Sequence, residues 1–187
     1  MKIFLIISCI LAALALLLFI LYILSTRCSK RGREMLKFRS FAYAHRGLHD
    51  HSKPENSMAA FRAALENGYG IELDIHLMKD GRLAVIHDTS LLRTAGVDVN
   101  ITDLTAEELS NYHLGGTEDT IPTFRQVLEL FAGKAPLIIE LKSDGNAEAL
   151  VDAAVKAVEG YEGPYCMESF DPRCVHILRK KYPHIIR

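Results

Sequence analysis

Basic, acidic and imidazole side chains stand at the ends of short apolar runs along this chain, where they could carry out acid–base and metal chemistry. Four apolar runs carry or end in such residues: His45-Arg46, Glu72-Leu73-Asp74, His87-Asp88 and Glu140-Leu141-Lys142. A charged side chain on a buried strand is costly unless it is paired or binds a metal ion. Four consecutive apolar runs with this feature therefore indicate a reactive site.

The acidic residues have the types and spacing of a site for a hard cation. Glu72 and Asp74 stand at i and i+2 of one run, so in a strand they face the same side, and Glu140 offers a third carboxylate. Three converging carboxylates suit Ca²⁺ or Mg²⁺, whereas Zn²⁺ prefers His or Cys ligands. One such pair alone is usually a solvated strand edge. We predict a divalent-cation site because the pair coincides with Glu140 and two histidines.

Two histidines and two cationic side chains complete the predicted chemistry. His45 and His87 can act as general acid and base near neutral pH, although either one alone would be interpreted as a structural histidine. The planar guanidinium of Arg46 suits phosphate oxygens, with an ordinary salt bridge to Glu55 as the alternative. Lys142 either neutralises a bound phosphate or balances a neighbouring carboxylate.

Alternating strands and helices are predicted to position these residues. The apolar runs predict six strands, at 41–44, 70–77, 83–86, 136–141, 165–167 and 184–186. Capping residues at 56 or 57, 105, 123 and 171 predict helix starts, and another helix is predicted from about 147 to 159. Such units favour a parallel sheet covered by helices, either doubly wound or closed into an eight-stranded barrel. A Rossmann domain is disfavoured because no glycine-rich loop follows the first strand.

The N-terminus carries an uncharged apolar segment from Ile3 to Leu24. About 20 apolar residues span the hydrocarbon core of a bilayer. Signal-peptide apolar regions are shorter, and Ser25-Thr26-Arg27 is a poor cleavage site. We therefore predict a transmembrane anchor at 1–26, a basic juxtamembrane linker at 27–40 and a domain at 41–187, with a cleaved signal peptide as the alternative. The excess of Lys and Arg after the segment predicts a single-pass protein with its domain in the cytoplasm.

The overall composition restricts the partners. The 187 residues include 22 Lys and Arg against 23 Asp and Glu, for a formal net charge of -1. This balance gives no electrostatic reason to expect nucleic acid as a partner. None of the cysteine pairs has metal-ligand spacing, and the four cysteines do not form a disulfide framework. The composition leaves the oligomeric state open.

Taken in chain order, the motifs resemble those of the glycerophosphodiester phosphodiesterase family. The matching stretches are His45-Arg46-Gly47, Pro54-Glu55-Asn56-Ser57, Glu72-Leu73-Asp74, His87-Asp88 with Leu91, Arg93 and Gly96, Ile121-Pro122-Thr123, Glu140-Leu141-Lys142 and Ser169-Phe170-Asp171-Pro172. Each stretch alone is weak, but together they are specific. The resemblance extends from about Phe41 to the last residue.

The resemblance implies a (β/α)₈ TIM barrel, here incomplete with about six of eight strands and C-terminally truncated. It implies a Ca²⁺- or Mg²⁺-dependent enzyme that hydrolyses glycerophosphodiesters to glycerol 3-phosphate and an alcohol. It also implies residue roles: acid–base catalysis by His45 and His87, phosphate binding by Arg46 and Lys142, support at the mouth by Glu55 and Asn56, and metal binding by Glu72, Asp74 and Glu140.

Two other functions fit the sequence. A phospholipase D-like phosphodiesterase would act on lysophospholipid or sphingomyelin, and the predicted anchor favours it by holding the site near a bilayer. A non-catalytic, membrane-bound barrel fragment would fit the expected truncation. The intact histidines and carboxylates argue against that second alternative.

Overall fold

The computed structural model describes residues 2–25 and 32–187, and these described residues fall into two compact units, divided between residues 30 and 31. The first unit is one helix, α1 (Lys2–Ser25), which at 24 residues is about 36 Å long. Its stretch Phe4–Leu24 has a mean hydropathy of 3.2, and its large apolar side chains are exposed. By length and composition, α1 suits a membrane span or a signal sequence.

The second unit is a five-stranded sheet with helices. The strands are β1 (Tyr43–His45), β2 (Gly70–Leu77), β3 (Leu83–Val85), β4 (Leu137–Leu141) and β5 (Tyr165–Glu168). The helices are α2 (Gly32–Arg39), α3 (Met58–Glu66), α4 (Leu92–Ala95), α5 (Phe124–Phe131), α6 (Ala147–Ala157) and α7 (Pro172–Lys181). Two short 3-10 helices cover Ile101–Asp103 and Glu108–Asn111.

The sheet order is β1-β2-β4-β5, with all three of these pairings parallel. The register places Glu72 beside His45, and Asp74 beside Glu140. Neighbouring residues at one register level point to the same face of a sheet. The backbone pairing therefore gathers the charged residues of three strands on one face.

The opposite face of β2 forms the main core. Ile71, Leu73 and Ile75 are fully buried in one cluster with residues of α3, α5, α6 and α7. Burial of each such side chain contributes roughly 1.5–3 kcal/mol to stability. Because side chains alternate along a strand, this apolar packing directs Glu72 and Asp74 to the other face.

Helix starts follow the predicted caps. The hydroxyl of Ser57 accepts a hydrogen bond from the Ala60 amide at 3.1 Å and so begins α3. Thr123 and Gln126 form both halves of a capping box at the start of α5, as predicted. At Thr105 the prediction holds only in part, because Glu108 accepts from the Thr105 amide but a 3-10 helix follows.

The third strand differs from the expected parallel arrangement. β3 runs antiparallel to β2, with Leu83 beside Leu77 and Val85 beside Ile75. The segment 78–82 that joins them is too short for a parallel crossover, which needs a dozen or more residues. The chain then returns along β2, where the Ile86 amide donates to the Asp74 carbonyl at 3.1 Å. His87 is thus delivered by a hairpin and not by the end of a parallel strand.

The first and the sixth of the predicted strands are corrected. The predicted sixth strand at 184–186 is not formed, and one backbone hydrogen bond of 2.8 Å, from the Met167 amide to the Ile186 carbonyl, joins this segment to β5. A strand requires a ladder of such bonds. The predicted linker at 27–40 includes α2, while residues 26–31 lie outside the described part of the chain. The first strand is shifted from 41–44 to Tyr43–His45.

Gly47 allows the turn after β1 to pass close to α3. Its φ is +84°, and a Cβ there would lie 2.9 Å from the Ala60 Cβ, whereas a Cβ on Gly96, with φ +72°, would meet no described atom within 4 Å. Gly96→Ala should lower the free energy of unfolding by about 1–2 kcal/mol for the left-handed backbone. Gly47→Ala should lower the free energy of unfolding by about 1–3 kcal/mol more, because the added Cβ would overlap with Ala60. Urea unfolding of the full chain in detergent micelles measures both, and equal losses would contradict this packing.

Candidate active site

β1 places His45 and Arg46 at one side of the charged face. His45 is the last residue of β1, its side chain is 69% exposed, and its Nε2 lies 3.8 Å from Oε2 of Glu72. Arg46 has a φ of +57°, which is unfavourable for a non-glycine residue. Its amide donates to both the Glu72 carbonyl at 3.0 Å and the Glu72 carboxylate at 3.1 Å. These bonds hold the turn and aim the Arg46 side chain towards the acidic residues.

The structure brings the three predicted metal ligands together. Glu72, Asp74 and Glu140 are buried, and each offers a carboxylate oxygen within 4.8 Å of the others. β2 supplies two of them at i and i+2, and the parallel register with β4 places the third beside Asp74. We call these three residues the acidic cluster.

Two basic side chains contact the acidic cluster. Nζ of Lys142 lies 3.1 Å from Oδ1 of Asp74 and 2.8 Å from Oε1 of Glu140. Nε of Arg46 lies 3.5 Å from Oδ2 of Asp74. These contacts place both predicted phosphate-binding residues beside the predicted ligands.

Glu72 and Asp74 differ in charge state. Burial, together with the nearby charge of Asp74, raises the pKa of Glu72 to about 7. Burial also acts to raise the pKa of Asp74, but a hydrogen bond from Asn56 and the charge of Lys142 outweigh it and lower that pKa. Asp74 is therefore ionised at neutral pH, while Glu72 is only partly ionised without a further cation.

Asn56 supports Asp74 from the loop before α3. Its Nδ2 donates to Oδ2 of Asp74 at 2.8 Å, and its own amide donates to the Arg46 carbonyl at 2.9 Å. The residue is buried and has a φ of +55°. Asparagine tolerates this conformation better than most residues. Asn56 thus fixes Arg46 and Asp74 relative to each other.

A chain of ion pairs links His87 to Arg46. Nδ1 of His87 lies 2.5 Å from Oδ1 of Asp88, and Nε of Arg93 donates to the other Asp88 oxygen at 2.5 Å. Arg93 also binds Glu55 through both terminal nitrogens, at 2.7 and 3.1 Å. Glu55 in turn accepts from Arg46 at 3.0 Å. The predicted alternative for Arg46, a salt bridge to Glu55, is present, and the phosphate-binding role of Arg46 stays a prediction.

The acids in this chain of ion pairs are ionised. The hydrogen bond from Arg93 is the main cause that lowers the pKa of Asp88 to about 2. The same arginine is the main cause that lowers the pKa of Glu55. The ionised Asp88 carboxylate accepts a hydrogen bond from the Nδ1–H of His87, which leaves Nε2 of that ring for proton exchange.

Comparison with known proteins identifies the family. Residues 45–186 match the glycerophosphoryl diester phosphodiesterase family. The chain belongs to this family. It is 39% identical over 156 residues to a glycerophosphodiester phosphodiesterase from Bacillus altitudinis, covering 76% of this chain and 63% of that protein. It is 34% identical over 143 residues to lysophospholipase D GDPD1 from Rattus norvegicus, covering 70% of this chain and 44% of that protein.

Solved structures of the family share the fold. A phosphodiesterase from Oleispira antarctica, in complex with the product sn-glycerol-3-phosphate, has a TM-score of 0.72 and 26% identity, covering 80% of this chain and 66% of that chain. The predicted α/β fold class is confirmed, because the parallel sheet and its helices form part of a glycerophosphodiester phosphodiesterase TIM barrel. The chain spans less than two thirds of the length of both curated relatives named above.

The acidic cluster fits the divalent cation that this family implies. Its ligands are carboxylate oxygens, which Ca²⁺ and Mg²⁺ prefer. In the described part of the chain, the basic atom within ion-pair distance of Glu72 is Nε2 of the exposed His45, at 3.8 Å. Lys142 and Arg46 are paired with Asp74 and Glu140. A cation at the cluster would therefore stabilise the ionised form of Glu72.

A cavity of about 410 Å³ lies beside the cluster. His87, Glu140 and Lys142 line it, together with residues of the loops after β4 and β5, including Ser169 and Phe170. His45 does not line this cavity and approaches the cluster from the opposite side, through Glu72. The cavity is large enough for a small polar phosphodiester, with cationic and imidazole groups in its wall.

Several polar residues of this candidate site were missed from the sequence. Asp88 and Arg93 occur in the motifs that carry the resemblance, but their contacts to His87 and Glu55 were not predicted. His76 was overlooked although it follows Asp74 by two residues and so lies on the same face of β2. A polar residue at that position on a buried strand was the available signal.

Proposed function

We propose that this chain is a metal-dependent glycerophosphodiester phosphodiesterase, which hydrolyses its substrates to glycerol 3-phosphate and an alcohol. The observation that carries the proposal is the acidic cluster, buried beside Arg46 and Lys142 and adjoining the cavity that His87 lines. Membership of the family supports it, as does the product found in the Oleispira antarctica relative.

Different side chains of the site carry out different parts of the proposed reaction. Arg46 and Lys142 stabilise negative charge on the phosphate oxygens as it develops. A divalent cation bound by Glu72, Asp74 and Glu140 would supply further charge stabilisation. One of His45 and His87 takes a proton from the nucleophile, and the other gives a proton to the leaving alcohol oxygen. The nucleophile is either water or the neighbouring glycerol hydroxyl, and in the second case water then opens the cyclic phosphate. Asp88 orients the His87 ring through Nδ1.

Removal of divalent cations is expected to abolish hydrolysis. The full chain in detergent micelles would be supplied with glycerophosphocholine and either Ca²⁺ or Mg²⁺, and the release of glycerol 3-phosphate would be measured. Excess chelator should reduce the rate to background, because the phosphate would face the carboxylates of the cluster without the charge of the divalent cation, and added cation should restore it. An unchanged rate in chelator would contradict the cation site. The absence of hydrolysis with either cation would contradict the proposed activity.

We also propose that α1 is a single-pass membrane anchor with the domain on the cytoplasmic side. The exposed apolar surface of α1 and the Lys and Arg residues that follow it support this arrangement. Digestion of the domain by protease added outside intact cells would contradict it.

A lipid-derived substrate is the second candidate. The similarity to lysophospholipase D GDPD1 and the apolar α1 favour a lysophospholipid. Parallel assays with glycerophosphocholine and lysophosphatidylcholine, at matched concentrations in the same micelles, separate the two. A higher kcat/KM for the lysolipid would identify the chain as a lysophospholipase D.

A further inference from the structure

We propose that His76 and Asp144 are positioning residues for His87, an inference that rests on the proposed function. Nδ1 of His76 lies 2.6 Å from Oδ2 of Asp144, and Nε2 lies 3.1 Å from the carbonyl oxygen of His87. The pair therefore connects β2 and the loop after β4 to the backbone of the residue proposed to exchange protons.

The hydrogen bonds of His76 define what the ring can do. Its side chain is only 2% exposed, so an unsatisfied ring nitrogen would carry a full desolvation cost. A carbonyl oxygen can only accept, so Nε2 donates to His87. Both nitrogens of the His76 ring are thereby engaged, which leaves neither to exchange a proton with a substrate. The geometry gives this histidine a positioning role and not a catalytic one.

Asp144 holds His76 and a second point on the same segment. Its other carboxylate oxygen accepts a hydrogen bond from the Thr89 hydroxyl at 2.6 Å. Burial acts to raise the pKa of Asp144, but the hydrogen bonds from His76 and Thr89 outweigh it and lower that pKa. The ionised Asp144 carboxylate thus holds this segment at two points: at His87, through His76, and at Thr89 directly.

His87 needs this support because its segment is irregular. His87 belongs to neither a helix nor a strand, and its segment is tied by backbone contacts on either side, from the Ile86 amide to the Asp74 carbonyl and at the bridge between Ser90 and Asn100. Asp88 contacts the His87 ring at 2.5 Å, but it lies on the same segment and moves with it. The His76 contact is anchored in β2, and residues of a reactive site must be held to within roughly 0.5 Å. Without His76 and Asp144, the His87 ring would keep its contact with Asp88 but would no longer be held beside the cavity.

Two variants and a matched control test the proposal. Asp144→Asn removes the charge that holds His76. Thr89→Val removes only the hydrogen bond from the Thr89 hydroxyl to Asp144, and it keeps the proposal testable if Asp144→Asn does not fold. Asp152→Asn makes the same carboxylate-to-amide change on α6, where Asp152 contacts Lys181 and Tyr182. We expect kcat for glycerophosphocholine to fall about 10- to 100-fold in Asp144→Asn, less in Thr89→Val, with KM nearly unchanged in both. Asp152→Asn should retain wild-type kcat.

A second measurement follows His87 without relying on activity. In full-length protein labelled with ¹⁵N-histidine, the ring signals of His87 are assigned by their loss in His87→Ala. They should shift or split in Asp144→Asn and Thr89→Val and remain unchanged in Asp152→Asn. If wild-type protein hydrolyses no diester, the proposed function fails, and these signals alone decide the positioning role. Unchanged His87 signals, or an unchanged kcat for Asp144→Asn in an active enzyme, would overturn the proposal.

Discussion

The His87→Ala variant is expected to hydrolyse glycerophosphocholine with a kcat about 10²- to 10⁴-fold below that of the wild type. His87 lines the cavity beside Lys142 and Glu140, and Asp88 holds its Nδ1, so Nε2 is the nitrogen placed to exchange a proton. Its loss removes one of two proton-transfer groups while leaving the acidic cluster intact. His45→Ala should cause a loss of the same order. Steady-state assays with saturating cation measure both.

The control for these variants is His176→Ala. His176 is an exposed residue of α7, outside the charged face, so its replacement should leave kcat unchanged. A substrate with a nitrophenol leaving group separates the two roles, because that group leaves without protonation. The variant lacking the general acid should recover most of its activity on this substrate, and the variant lacking the general base should not. Near wild-type turnover of glycerophosphocholine by both alanine variants would reject acid–base catalysis by this pair.

The residues of the acidic cluster could be predicted from the sequence because local rules determine their placement. The i, i+2 spacing of Glu72 and Asp74 sets a shared face in any strand. The apolar residues between and around them then decide which face is buried in the main core. That Glu140 arrives beside Asp74 depends on the register of β2 with β4, which the sheet shows. The resemblance implied only that Glu140 binds metal together with the other two residues.

The antiparallel β3 shows where local rules fall short. The apolar run at 83–86 has the composition of any buried strand, and composition carries no direction. The direction was nevertheless readable from the five-residue connection, in which Gly81 takes a φ of +82°. The consequence is functional, because the antiparallel return brings His87 back along β2 towards Asp74.

The polar contacts around His87 could not be read from the sequence. Arg93 and Glu55 are 38 residues apart, and His76 and Asp144 are 68 residues apart. Arg93, Glu55 and Asp144 each have an ordinary explanation as a surface or loop residue, and the buried strand position of His76 indicates a polar contact without naming its partner. Their partnership depends on how the loops after β3 and β4 fold over the sheet. The sequence contains the ionisable groups but not the distances that pair them.

Asp74→Asn is expected to weaken binding of Ca²⁺ or Mg²⁺ by about 10²-fold or more. Asp74 is fully buried and lies between Lys142, at 3.1 Å, and Arg46, at 3.5 Å. The amide keeps the shape of the side chain but removes one ligand charge. The positive side chains of Lys142 and Arg46 would then be balanced by Glu72 and Glu140 alone and would repel an incoming divalent ion more strongly. Isothermal titration calorimetry of the full chain measures the affinity without reference to turnover.

The control for this measurement is Asp103→Asn. Asp103 is an exposed residue of a 3-10 helix and not a member of the acidic cluster, so its replacement makes the same change in net charge outside the cluster. Unaltered affinity in Asp103→Asn and a large loss in Asp74→Asn would locate the cation at the three carboxylates. Equal affinities in the two variants would mean that Lys142 and Arg46 already neutralise the cluster and that no cation binds there. The phosphate would then depend on these two side chains alone for its positive charge.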